Sequence, residues 1–260
     1  MDLTTTSRYA DSGLPLWREA FAGLDWLSLR FSPVYAGHGI ERGRGEAVVL
    51  VPGLFAADAM MIELHRWLAR VGYMPYESGV GVNALPCDTL IARLSATIDR
   101  AYAETGAPVR LVGHSLGGLL ARGAALRRPG RVAQVITLGS PVQGLGAHPA
   151  VLAAAKVVHG EDIDACLAAL QRPLPASIAE TNVYSKSDGV VDWRTCTRGD
   201  ATAVESRGSH TGLIANAEVY GAIATALAAQ SARDDLRCSA VARLVAARAD
   251  APAPATTISR

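Results

Sequence analysis

Ser115 is the residue around which chemistry can be built. It lies in Gly113-His114-Ser115-Leu116-Gly117, a G-x-S-x-G pattern followed by Gly118. Arg110-Leu111-Val112 before it reads as a strand, and Leu116, Leu119, Leu120 and Gly123 continue it as a helix. A serine in such a sharp strand-to-helix turn is held above the sheet with its hydroxyl exposed. Glycines two positions to either side let strand and helix approach closely, and the helix start presents N–H groups toward developing negative charge. A hydroxyl so placed can attack an acyl carbonyl once a base takes its proton. The rival reading is a Gly-rich turn with a structural serine, and the strand–helix context weighs against it. His114 is expected to pack beside the turn, not to act as the base.

A tetrahedral intermediate needs two N–H donors aimed at its oxygen. The amide of Leu116, directly after the serine, is one candidate. The other belongs on the loop after the first core strand, Val51-Pro52-Gly53-Leu54-Phe55. Pro52 cannot donate and Gly53 allows a sharp turn, so the Leu54 amide is the choice and Phe55 the second. A plain strand-ending Pro-Gly turn is the alternative. In triads built on this serine turn the acid comes next and the histidine last. His148 and His159 fall in an irregular stretch ahead of any credible acid. His210, in Arg207-Gly208-Ser209-His210-Thr211-Gly212, lies between the last strand and the last core helix. There it would take the Ser115 proton and return it to the leaving group. Asp188 and Asp192 compete for the acid. Asp188 follows the strand ending at Tyr184 and is preferred; Asp192, beside Trp193, could instead cap a turn.

These side chains need a frame, and the hydrophobic pattern supplies one. Strands are expected at 47–51, 73–77, 109–112, 132–138, 178–184 and 202–204. Helices are expected at 58–71 (capped by Asp58), 88–102, 116–127, 213–228 and 234–248. Such alternation predicts an α/β fold, a parallel sheet of about six strands with helices on both faces. Every candidate above falls at the carboxyl end of a strand, where sites in such sheets lie. Residues 144–177 break the pattern with two short helical stretches. Their apolar residues Leu152, Val157, Val158, Ile163, Leu167 and Leu170 suggest a small helical cap over the pocket, with a solvent-facing hairpin the equal alternative. Phe55, Asn83, Leu152 and Leu167 are the expected pocket residues. The division is then an N-terminal amphipathic helix and loop (1–46), a core (47–143 and 178–230), the cap insert (144–177), and a C-terminal helix with a disordered tail (231–260).

The N-terminal stripe of Trp17, Phe21, Leu24 and Leu27 has two readings, core packing and weak contact with a membrane or lipid. Core packing is the commoner outcome. Met60, Met61 and Trp67 are likewise expected in the core. Half of the 260 residues are hydrophobic and 19% are charged, with a net charge of +1. That balance suits a globular domain and gives no support to nucleic-acid binding, which usually needs a basic face. Cys87, Cys166, Cys196 and Cys238 form no CxxC pair and no metal-ligand spacing, so no metal or other cofactor is expected. With no apolar leader and no run of about 18 apolar residues, a cytoplasmic location is expected.

Taken together, these motifs resemble the α/β-hydrolase superfamily, and within it bacterial lipase- and esterase-like serine hydrolases. The matching pieces are Val49-Leu50-Val51-Pro52-Gly53-Leu54, Leu111 to Gly118, Ile136-Thr137-Leu138-Gly139-Ser140-Pro141, Tyr184 to Val191 and Gly208 to Leu213. They span about residues 47–228. The resemblance implies the triad Ser115, Asp188 and His210 and a carboxylic ester substrate, small-molecule or lipid. It leaves open an acyltransferase or thioesterase with the same triad, and a non-catalytic binding protein on the same fold. One departure is Pro52-Gly53 where many members have His-Gly. Another is the stretch before Ala47, too poor in strand signal for the two opening strands of the full fold, hence a reduced sheet.

Overall fold

The computed structural model of the chain describes residues 15–144, 146–159 and 163–249. Six strands form one sheet: β1 (Ala47–Val51), β2 (Met74–Glu77), β3 (Val109–His114), β4 (Val132–Leu138), β5 (Ala179–Ser185) and β6 (Thr202–Ser206). Their order is β2-β1-β3-β4-β5-β6, and every neighbouring pair is parallel. This is the reduced parallel sheet of the α/β-hydrolase fold. β1, β3 and β4 are buried along their whole length, as a sheet covered on both faces requires.

Alternate strand residues feed two cores. Val49, Val51, Leu111 and Val135 pack with helices α3 (Cys87–Thr105) and α4 (Leu116–Arg127). Val48, Leu50, Val112 and Ile136 pack on the opposite face, with helices α2 (Ile62–Arg70) and α7 (Ala217–Ala249). Between β4 and β5 stand two further helices, α5 (Pro149–His159) and α6 (Ile163–Leu170). The Gln171 side chain ties the ends of this insert together. Its amide donates to the Pro141 and Gly144 carbonyls at 2.7 Å each and its carbonyl accepts from the Gly144 N–H at 3.1 Å.

Several expectations are corrected. Of the N-terminal stripe, Trp17, Leu24 and Leu27 do not pack on the core. Leu16–Phe21 is a 3-10 turn leading into α1 (Ala22–Arg30), and Trp17, Leu24 and Leu27 are 65%, 62% and 48% exposed, while Leu29 is buried. The segment docks instead through its polar side, with Arg30 and the Trp26 indole on Glu63 at 2.5 and 3.2 Å. Asp58 caps no helix; its carboxylate accepts from the Ser78 N–H and hydroxyl at 3.0 and 2.5 Å, pinning the end of β2. Met61 is buried, but Met60 is exposed. The two expected C-terminal helices are one continuous helix, α7, because 229–233 (Ala-Gln-Ser-Ala-Arg) holds no glycine or proline to break it. The start of the expected N-terminal unit (1–14) and the last part of the expected tail (250–260) lie outside the described residues.

Candidate active site

Ser115 sits between β3 and α4 with φ 54° and ψ −126°, a conformation that an L-residue adopts only when its surroundings compel it. The surroundings do so. The Ser115 N–H donates to the Leu138 carbonyl at 2.8 Å, anchoring the turn to β4. Gly113 and Gly117 occupy close approaches. A Cβ on Gly117 would collide with the carbonyl oxygens of Val51 and Pro52, and one on Gly113 would lie 2.5 Å from the Gly118 backbone. Gly53 faces the turn, where a Cβ would meet Ser115 Cβ at 3.2 Å and His114 Nδ1 at 3.0 Å. Strand end, oxyanion-loop candidate and serine turn are thus packed backbone to backbone.

Asp188 and His210 are brought together from loops after β5 and β6. Asp188 Oδ2 is 2.7 Å from His210 Nδ1, and both residues are buried. Oδ1 of the same carboxylate accepts from the Val190 and Val191 N–H groups at 2.8 and 2.7 Å, so the acid is fixed in one orientation. Since Nδ1 faces a carboxylate, the proton belongs on Nδ1 and the lone pair on Nε2. Gly139, with φ 58°, passes behind the pair; a Cβ there would lie 3.1 Å from both Asp188 Oδ2 and His210 Nδ1. Asp192 does not join them. Its Oδ1 accepts from the Arg194 N–H at 3.0 Å and caps the turn Trp193–Thr195, the alternative open in the sequence.

His114 is buried and its ring centroid lies 4.7 Å from that of His210. Burial, and secondarily the neighbouring His210, pushes its pKa down to about 3, so it is neutral at ordinary pH. Its neutral Nε2–H donates to the His210 carbonyl at 3.0 Å and holds the backbone of that loop.

Two cavities meet at Ser115. The first, about 510 Å³ of empty space, is walled by Leu54, Leu116, Leu119, Leu152, Ala155 and Leu167 among others. Ser115 supplies the one polar side chain among its described lining residues. The second, about 750 Å³, holds His114, Ser115, His210 and Thr211 on one side and Phe55 and Met60 on the other. Leu54, Ser115 and Val151 belong to both. Of the expected pocket residues, Leu152 and Leu167 line the first cavity and Phe55 the second. Asn83 lines neither. It is fully buried behind the 52–56 loop, its side-chain amide donating to the Pro52 carbonyl at 2.9 Å and its main-chain carbonyl accepting from the Phe55 N–H at 2.9 Å. That bond consumes the Phe55 amide and leaves Leu54 the better oxyanion candidate of the two. Met60 was missed as a wall residue because an apolar residue beside a buried one reads as core.

Glu19 was missed altogether. Its carboxylate accepts from the N–H groups of Gly189, His210 and Thr211 at 3.2, 2.9 and 2.8 Å. No spacing rule could find it, because its partners are main-chain amides about 170 to 190 residues away.

Comparison with known proteins agrees with this architecture. Among solved structures the chain is similar to the mature lipase BlEst2 of Bacillus licheniformis, at 17% identity and TM-score 0.56, covering 74% of this chain and 96% of that one. It is similar to the monoacylglycerol lipase of Paleococcus ferrophilus at 17% identity and TM-score 0.51, covering 73% and 97%. A structure from work on carboxylesterases of Nitrososphaera gargenis matches at 15% identity and TM-score 0.53, covering 73% and 92%. At such identities the likeness is one of fold. No curated protein sequence matches. A family model described as palmitoyl protein thioesterase matches residues 48–189, more than half of the chain, from β1 through Ser115 to Asp188. By that match the chain belongs to the palmitoyl protein thioesterase family, within the α/β-hydrolase superfamily.

Proposed function

We propose that the protein is a serine hydrolase that cleaves acyl esters through a covalent acyl-enzyme. The observation that carries this is His210, fixed by Asp188 and lining the same cavity as Ser115, whose backbone is strained. Ser115 Oγ attacks the acyl carbonyl while His210 Nε2 takes its proton, and Asp188 steadies the resulting imidazolium. The tetrahedral oxygen is held by the Leu54 and Leu116 amides. His210 then returns the proton to the leaving group as the carbon–oxygen bond breaks. Water, deprotonated by the same histidine, attacks the acyl-serine, and its proton passes back to Ser115 Oγ as the acid leaves.

The two cavities divide the substrate. The apolar one under α5 and α6 suits the acyl chain, with the insert as its cap. The one beside His210 suits the leaving group, since that is where the returned proton is needed. The family description favours a second leaving group, a thiol, so acyl thioesters are the second reading. An exposed apolar face on the N-terminal segment is also consistent with lipid-borne substrates.

Labelling with a fluorophosphonate tests the mechanism. Wild type should be modified once, at Ser115, and Ser115→Ala not at all; an unlabelled wild type would remove the hydrolase reading and leave a binding protein. Turnover of an oxygen ester and a thioester of the same acyl chain separates the two substrates.

A further inference from the structure

Glu19 lies outside both the family match and the proposed triad, yet it touches the loops of both the proposed acid and the proposed base. Its Oε1 accepts from the N–H of Gly189, the residue after Asp188, and from the N–H of His210 itself; its Oε2 accepts from Thr211. These amides follow the ends of β5 and β6, past the ladder, and the last two open a 3-10 turn, Thr211–Ala215, whose first N–H groups have no intrahelical acceptor. A buried N–H left without a partner costs about 1–3 kcal/mol, and bonds to a charged acceptor are the stronger kind. One carboxylate therefore satisfies three amides and joins the two loops.

The approach is close. A Cβ on Gly189 would lie 2.6 Å from the Pro15 carbonyl oxygen, so the loop after Asp188 is packed against the N-terminal segment with no space between. A second carboxylate grips the far side of the same turn. Asp25 accepts from the Asn216 side-chain amide at 3.0 Å and faces the Ser209 N–H at 3.4 Å, and a Cβ on Gly212 would strike it. The segment thus presents Glu19 and Asp25 inward and Trp17, Leu24 and Leu27 outward.

We propose that Glu19 is a positioning residue for the catalytic dyad: its carboxylate, delivered by the N-terminal segment, fixes the separation of the Asp188 and His210 loops. This rests on the serine-hydrolase reading above. Misplacing a catalytic group by about 1 Å can cost roughly 100-fold in rate, so a clamp on both loops has leverage on turnover without touching substrate.

The test uses the full chain and the same fluorophosphonate, with wild type, Glu19→Ala, Glu19→Gln and, as a control at an exposed polar position of the same segment, Ser28→Ala. Glu19→Gln keeps one acceptor oxygen but turns an N–H group toward an amide that needs an acceptor. The expected result is saturation at one label per chain in all four, with the labelling rate constant roughly 10- to 100-fold lower in Glu19→Ala, intermediate in Glu19→Gln, and unchanged in Ser28→Ala. With an ester substrate, kcat should fall by the same factor while KM stays within about twofold. Equal rate constants per labelled site in wild type and both Glu19 variants would overturn the proposal, even if their melting temperatures fell, because that pattern marks a purely structural contact. Should the Glu19→Ala chain not fold, the rate constant of Glu19→Gln decides by itself: a fall supports the clamp and equality with wild type overturns it. If wild type itself is not labelled, this proposal falls together with the reading beneath it.

Discussion

At the scale of single residues, His114 shows how the loop carrying His210 is held by a group that must stay uncharged. In the unfolded chain an imidazole takes up a proton near its ordinary pKa of about 6.5, whereas burial lowers the folded value to about 3. Between those two values the unfolded state binds more protons, so the contribution of His114 to stability is complete above about pH 6.5 and drains away as pH falls toward 3. One proton sets the steepest slope at about 1.4 kcal/mol per pH unit. Denaturant titrations from pH 7 to pH 4 should therefore show wild type losing stability faster than His114→Asn. Parallel curves for the two would mean that the imidazole is not held neutral.

Order and position after strands nominate Ser115, Asp188 and His210 from the chain alone, because a parallel sheet sends all such loops to one edge, and of these the structure brings Asp188 and His210 to 2.7 Å. What stayed hidden depends on distant main chain. Asp192 and Asp188 look alike in sequence, and only the local turn makes one a cap and lets the other reach a histidine. Asn83 reads as a polar pocket residue until the carbonyl it holds is seen. Glu19 looks like a solvent-facing acid on a helix whose apolar stripe ought to be the buried side.

Among the elements, the insert between β4 and β5 depends on α4 for its footing. Arg122, fully buried on α4, pairs with Glu180 of β5 and donates to the Leu170 and Arg172 carbonyls, at 3.2 and 2.6 Å, where α6 ends. Removing one member of such a pair leaves an uncompensated charge in a dry place, which costs about 3–5 kcal/mol, whereas exchanging both for apolar residues is often neutral. Arg122→Ala should lower the unfolding free energy by about that amount, and Arg122→Met with Glu180→Leu should recover most of it. Equal losses in the single and double variants, measured by urea unfolding, would contradict this pairing. The boundaries of the helices flanking this site were readable from periodicity within a few residues. The fusion of the C-terminal helices was not, since the apolar stripe stops where the helix leaves the sheet although the backbone continues.

For the molecule as a whole, the same helix marks where the core ends. From Val219 to Ser231 α7 buries one face against the sheet, and its residues from Asp235 to Ala240 are exposed. The buried tie is Arg110, a residue of β3 that reaches Ser231 and Asp234 at 3.0 Å each and Glu46 at 3.6 Å, and on the surface Arg44 reaches Asp235 at 3.0 Å. A chain ending after Asp235 should melt within a few degrees of the full chain. One ending after Ala229 strips Arg110 of two partners and should lose about 3–5 kcal/mol. Thermal denaturation of the two truncations compares them directly, and matching melting points would show that Arg110 does not depend on α7.

The strand order leaves β2 and β6 on the flanks of an open sheet, each with a row of main-chain groups turned outward. β2 is only four residues long and carries Pro75, which has no hydrogen to offer an incoming strand. β6 carries the exposed charge of Glu205, joined across to Lys186 just after β5 at 2.8 Å, so an approaching chain would have to strip water from an ion pair. Either flank is thus a poor template for recruiting a second sheet, and growth into fibres would first require one of these borders to unravel.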